Sequence, residues 1–114
     1  MRNLPVLTVV FAVLFVQSAS AASEGMLETE PGVRIYWRAL GEGTQTVIIP
    51  GDFLFGGDMD VLANGRRLVL YDMRNRGRSS RVTDPSLLTL DHDVRDLEAL
   101  RLEVGAEKFS TIGY

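Results

Sequence analysis

No cysteine occurs among the 114 residues, and histidine occurs once, as His92. Without cysteine there is no disulfide framework, no thiolate nucleophile and no cysteine-ligated zinc, so a hydrophobic core must hold the fold. A single histidine leaves no second imidazole for a metal set, and no Ser-His-Asp set assembles from this chain alone. His92 lies between Asp91 and Asp93, but neighbours one position apart do not share a helix face. It therefore reads as a surface residue. Charge of one sign is scarce too: the formal net charge is −3. Such mild acidity points to neither nucleic acid nor an anionic membrane as partner. The phosphate-cradling pattern G-x-x-x-x-G-K-[ST] is absent, as is G-x-G-x-x-G. There is no internal repeat, low-complexity tract or linker. No metal and no cofactor is expected.

Long apolar runs are also few. One runs from Leu4 to Val16, behind the basic Arg2 and ahead of small polar residues that include Ala19-Ser20-Ala21. It is short for a bilayer span, and the A-x-A triplet supplies a cleavage site. Residues 1–21 read as a secretory signal peptide, so the protein is expected to be exported to the periplasm or outside the cell. An uncleaved membrane anchor is the alternative. Residues 22–114 are then the folded part.

In that part, Glu30-Pro31-Gly32-Val33 has proline and glycine where a tight turn wants them. Val33, Ile35, Trp37 and Ala39 alternate with Arg34, Tyr36 and Arg38, which marks a strand with one buried face and an antiparallel hairpin. The continuous apolar runs in "TVIIP" and "RRLVLYD" fit strands covered on both faces. Between them "GDFLFGGD" reads as a glycine-rich loop, and Asp58 to Asn64 as a short helix closed by Gly65. After a polar loop, "LTLDHDVRDLEALRLEVG" is the clearest helix. Thr89 or Asp91 caps its start, Gly105 closes it, and Val94, Leu97, Leu100 and Val104 form its inner face. Phe109, Thr111 and Ile112 read as a third buried strand, running to Gly113 and Tyr114 with no polar tail. That ending is expected to be a cut rather than a natural terminus. The fold class is α/β: an antiparallel hairpin leading into a parallel sheet with helices on its faces.

Ligands of such sheets bind beyond the carboxyl ends of the strands. Three loops are expected to leave those ends: "PGDFLFGGD", "DMRNRGRSS" and one following Gly113. The second, with Arg74, Arg76, Arg78 and Arg81, has the look of a phosphate patch. The simpler reading has Asp72 and Arg74 ordering the loop while the other arginines are solvated.

"RRLVLYDMRNRGRSS" resembles the strand and D-x-R-G-x-G-x-S loop of the α/β-hydrolase-fold family, in its proline iminopeptidase-like and esterase-like branch. Asp72, Arg74, Gly77 and Ser79 match, and Asn75 stands where that family has glycine. "DVRDLEALRLEVGAEKFSTIGY" resembles the helix and strand that deliver its nucleophile, with Asp96-Leu97 as the usual Asp-Leu pair. The resemblance runs from about Val33 to Tyr114. It implies that Gly113 and Tyr114 begin the nucleophile elbow G-x-S-x-G, with the serine immediately after, and that residues 22–114 are an incomplete domain. The oxyanion hole would draw on the loop after "TVIIP", with the backbone of Asp52 as first candidate donor and Phe53 as second; Pro50 replaces the usual histidine there. The whole protein would be an exported serine hydrolase cleaving small-molecule esters or amides, peptides included. The segment itself would be inactive and poorly soluble, with an open strand edge. A non-enzymatic exported α/β binding module and a phosphate-binding domain remain as alternatives.

Overall fold

The computed structural model describes residues 2–6, 8–10, 12 and 22–114. The expected signal-peptide cleavage site, Ala19-Ser20-Ala21, lies outside the described residues, as does most of the apolar run before it. Among the described residues, no helix is long and apolar enough to cross a membrane.

Strands β1 (Ser23–Glu30) and β2 (Val33–Leu40) form the hairpin. Their turn closes on a Glu30–Val33 pair, with Gly32 at φ 81° in the left-handed region that glycine adopts without strain. Strand β3 (Thr46–Pro50) leads into the one-turn helix α1 (Asp52–Phe55) and a 3-10 segment, Asp58–Ala63. Strand β4 (Arg67–Tyr71), a long polar loop with a 3-10 turn at Pro85–Leu87, and helix α2 (Leu90–Glu103) follow. The chain returns to the sheet as β5 (Ser110–Thr111). The strand order is β1-β2-β4-β3-β5. The β1–β2 and β2–β4 pairs are antiparallel, whereas β4–β3 and β3–β5 are parallel.

One sheet thus separates two cores. On one face Ile35, Ile48, Val69 and Tyr71 pack with Leu100 and Val104 from and just beyond α2. On the other Val47, Ile49, Leu68 and Leu70 pack with Phe55, Met59 and Leu62. Burying each large aliphatic chain contributes about 1.5–3 kcal/mol, so alternate residues of β3 and β4 stabilise both layers. The apolar runs of those strands have their reason in this double coverage.

Three expectations are corrected. "GDFLFGGD" is not simply a loop, because a helical turn stands between left-handed Gly51 and Gly56. In α2 the inner face begins at buried Asp96 rather than at Val94, which is exposed; an ion pair described below draws Asp96 inward. The third strand is short, as expected, but not buried: β5 has two exposed residues and, among the described residues, a neighbouring strand on one side only. Thr111 Oγ1 donates to the Ile48 carbonyl at 2.8 Å. Thr89 caps α2, its hydroxyl accepting from the His92 N–H at 3.4 Å and meeting His92 Nδ1 at 2.7 Å.

Candidate functional site

The loops leaving β3 and β4 meet at the carboxyl ends of those strands. Buried Asp72 ends the β4 run, and its carboxylate receives two backbone donors. Phe53 N–H donates to Oδ1 at 2.8 Å and Arg78 N–H to Oδ2 at 2.9 Å. Ser79, also buried, donates from Oγ to the Asp72 carbonyl at 2.5 Å and accepts from Tyr36 N–H at 2.9 Å. Gly77 has φ 48°, and a Cβ there would stand 2.1 Å from Asp72 Oδ2. Three of the four family-like loop positions therefore close around one another. The fourth, Arg74, turns into the core side, where Nε and Nη2 grip both Asp96 oxygens at 2.8 and 2.7 Å. Its Nη1 donates to Glu30 Oε1 at 2.6 Å and to the Leu87 carbonyl at 2.9 Å. Arg76, Arg78 and Arg81 stay at the surface. Arg78 lies over the Tyr36 ring, 4.8 Å from its centroid, and so buries a residue that alternation alone assigns to the open face.

At the end of β3, Asp52 turns its carboxylate to Arg38. The guanidinium Nε donates to both Asp52 oxygens at 2.9 Å, and Nη2 reaches Asp60 Oδ1 at 2.7 Å. The Phe53 N–H is taken by Asp72, whereas the Asp52 N–H meets no acceptor among the described residues. Tyr114 comes to the same place: its hydroxyl stands over Gly51, 2.6 Å from where a Cβ would be, and its ring meets Phe55 edge-on at 6.0 Å. Gly113 lies beyond β5, outside the strand. Tyr36, Arg38, Asp52, Phe53, Asp60 and Arg78 line an open cavity of about 390 Å³ here. A larger hollow of about 550 Å³, between Thr44–Thr46 and Lys108–Ser110, lies at the opposite ends of β3 and β5, away from these loops.

No family model and no curated protein matches the chain. Solved structures do. An α/β hydrolase from Novosphingobium aromaticivorans superposes with a TM-score of 0.69 at 28% identity, over 81% of this chain and 35% of that one. The fold is that of the α/β hydrolases. Epoxide hydrolase A from Mycobacterium thermoresistibile matches 82% of the chain and 31% of its own length, at 27% identity and a TM-score of 0.68. An epoxide hydrolase from an endophytic Streptomyces does so at 24% identity and a TM-score of 0.68, over 82% of this chain and 29% of that one. The chain spans 29–35% of the length of these α/β hydrolases.

Within the α/β-hydrolase frame, some polar residues have displaced proton equilibria. Burial, with Asp93 and Asp96 near, raises the Tyr71 phenol to about 12. Burial and the Asp96 charge raise the Asp93 carboxyl, while Arg74, His92 and Arg76 pull it the other way. A carboxyl raised on folding holds its proton more tightly when folded, so stability is lost as pH climbs from its unfolded value, 3.8, through the folded one. Asp93→Asn is accordingly expected to raise the melting temperature at pH 7 and to change nothing near pH 3. Thermal melts of the two proteins at both values check this; a lower melting temperature for the variant at pH 7 would refute it. Arg38 was legible only as an outward residue of β2. Its partner Asp52 lies 14 positions on, and no local spacing signals such a pair.

Proposed function

We propose that the protein is the N-terminal part of an exported serine hydrolase that cleaves an ester or amide through an acyl-enzyme. The observation that carries this is the open Asp52 N–H at the carboxyl end of β3, with Tyr114 packed over the adjoining Gly51. Two reactive parts of such an enzyme have to converge there. The nucleophile is the residue after Tyr114, and the acyl oxygen it charges is held by backbone donors. Asp52 supplies one donor; the N–H following the nucleophile supplies the other. The Phe53 N–H donates to Asp72, which favours Asp52 over Phe53 as the donor. The triad acid and histidine lie further along the gene product, and residues 1–21 direct export. The substrate is a small ester or amide, peptides included.

An epoxide is the second reading, favoured by the names of two of the three solved structures described above. One set of assays on the full-length gene product separates them. It is offered a short-chain p-nitrophenyl ester, an aminoacyl anilide and an aryl epoxide, and is then treated with a fluorophosphonate, which labels activated serines. Ester or anilide turnover, with the label on the residue after Tyr114, is the expected result. Epoxide turnover without labelling overturns the serine reading in favour of the second. A stop codon directly after Tyr114 overturns both and leaves a binding module, which would then melt cooperatively as residues 22–114.

A further inference from the structure

We infer that Arg38 is a positioning residue for the oxyanion loop, holding the Asp52 carboxylate off the side of the loop where the Asp52 N–H is open. This rests on the hydrolase function proposed above. The difficulty it resolves is specific to this chain. A residue whose N–H is to receive a developing negative oxygen here carries a negative side chain on the same backbone unit. Left free, that carboxylate would repel the oxyanion, and in a site shielded from water the repulsion is amplified.

The geometry supplies the counter-measure. Arg38 projects from β2 beside β4, and Nε divides between Oδ1 and Oδ2 of Asp52, each at 2.9 Å, while Nη2 lies 2.8 Å from Oδ1. The side chains are 20% and 14% exposed, so the pair is shielded on most sides. The same Nη2 takes Asp60 Oδ1 at 2.7 Å, which ties the 3-10 segment beyond Gly56 and Gly57 to the same guanidinium. One cation thus spans both sides of a glycine pair that would otherwise let the loop swing. The two carboxylates in turn raise the Arg38 pKa further above its ordinary value, so its charge persists at any working pH. The Phe53 N–H donates to Asp72, which favours Asp52 as the donor. Arg38 touches neither substrate nor reacting atoms in this scheme; it acts through Asp52.

The test is a mutant cycle on the full-length gene product with a short-chain p-nitrophenyl ester. Arg38→Met is expected to lower kcat by about 10- to 100-fold with KM changed less than about threefold, since the lost interaction belongs to the transition state. Adding Asp52→Asn to Arg38→Met is expected to recover most of that loss, because the uncompensated charge is gone while the backbone donor stays. If Arg38→Met fails to accumulate, Arg38→Lys carries the same comparison, since lysine cannot reproduce the fork. A double variant as slow as the single one makes Arg38 a structural residue and overturns the inference. So does an Arg38→Met protein with full kcat. A wild-type protein without ester, amide or fluorophosphonate reactivity instead removes the serine-hydrolase reading, and the inference falls with it.

Discussion

Arg74→Ala is expected to destabilise the protein by about 3–5 kcal/mol, because it strands a buried carboxylate. Arg74 and Asp96 have side chains only 2% exposed, and among the described residues the Arg74 guanidinium alone meets both Asp96 oxygens. Glu30 and the Leu87 carbonyl lose their donor at the same time. Since whole domains are stable by about 5–15 kcal/mol, such a loss leaves little folded protein. The pair itself need not be strongly stabilising. Replacing both partners with apolar residues, as in Arg74→Met with Asp96→Leu, is expected to recover most of the loss. Urea unfolding followed by circular dichroism measures both variants. A single variant within about 1 kcal/mol of the parent would show that water already reaches Asp96.

Gly77→Ala is the second large effect, expected at about 2–4 kcal/mol from left-handed strain plus overpacking. The new methyl would stand 2.1 Å from Asp72 Oδ2 and 2.4 Å from Cγ. The carboxylate cannot retreat freely, because it receives the Phe53 and Arg78 N–H groups. Gly65→Ala provides the comparison. Gly65 has φ 75° but nothing within 4 Å of its would-be Cβ, so only the backbone term of about 1–2 kcal/mol applies. Equal losses in the two variants would mean that Asp72 moves aside at no cost. Loosening Asp72 also frees the Phe53 N–H, so Gly77→Ala disturbs the candidate oxyanion loop from across the site.

The parts of the structure visible in the sequence are those governed by short-range rules. The Pro31-Gly32 turn, the apolar runs in β3 and β4, the Thr89 cap and the left-handed Gly105 all follow from a few neighbouring residues. The resemblance to α/β hydrolases added the order of the parts, and solved structures share that fold. What the sequence concealed depends on distant partners. Asp96 faces inward only because Arg74, 22 positions earlier, meets it. Val94 therefore turns outward despite fitting the apolar stripe. Helix α1 has four residues between two left-handed glycines, too few for any periodicity to show. Phe109, Thr111 and Ile112 carry strand-like chemistry, but composition does not tell an edge from a centre, and β5 lies at an edge. At the candidate site, Asp72 and Ser79 were visible through their motif. The Arg38–Asp52 pair, which settles the direction of the Asp52 side chain, has no motif.

The two cores share β4 by turns, Leu68 and Leu70 to one layer, Val69 and Tyr71 to the other. That arrangement gives the strand a parity. Insertion of a single residue upstream within β4 would exchange the layers and carry the Tyr71 hydroxyl into the one built on Val47, Ile49, Phe55, Met59 and Leu62. The same frame-shift would rotate Asp72 to the opposite side of the sheet, away from Phe53 and Arg78. Insertion of two residues preserves the parity and only lengthens the strand. Length variation at this point of the chain is therefore permitted in even steps and forbidden in odd ones, and the carboxylate that organises the two loops is the part that does the counting.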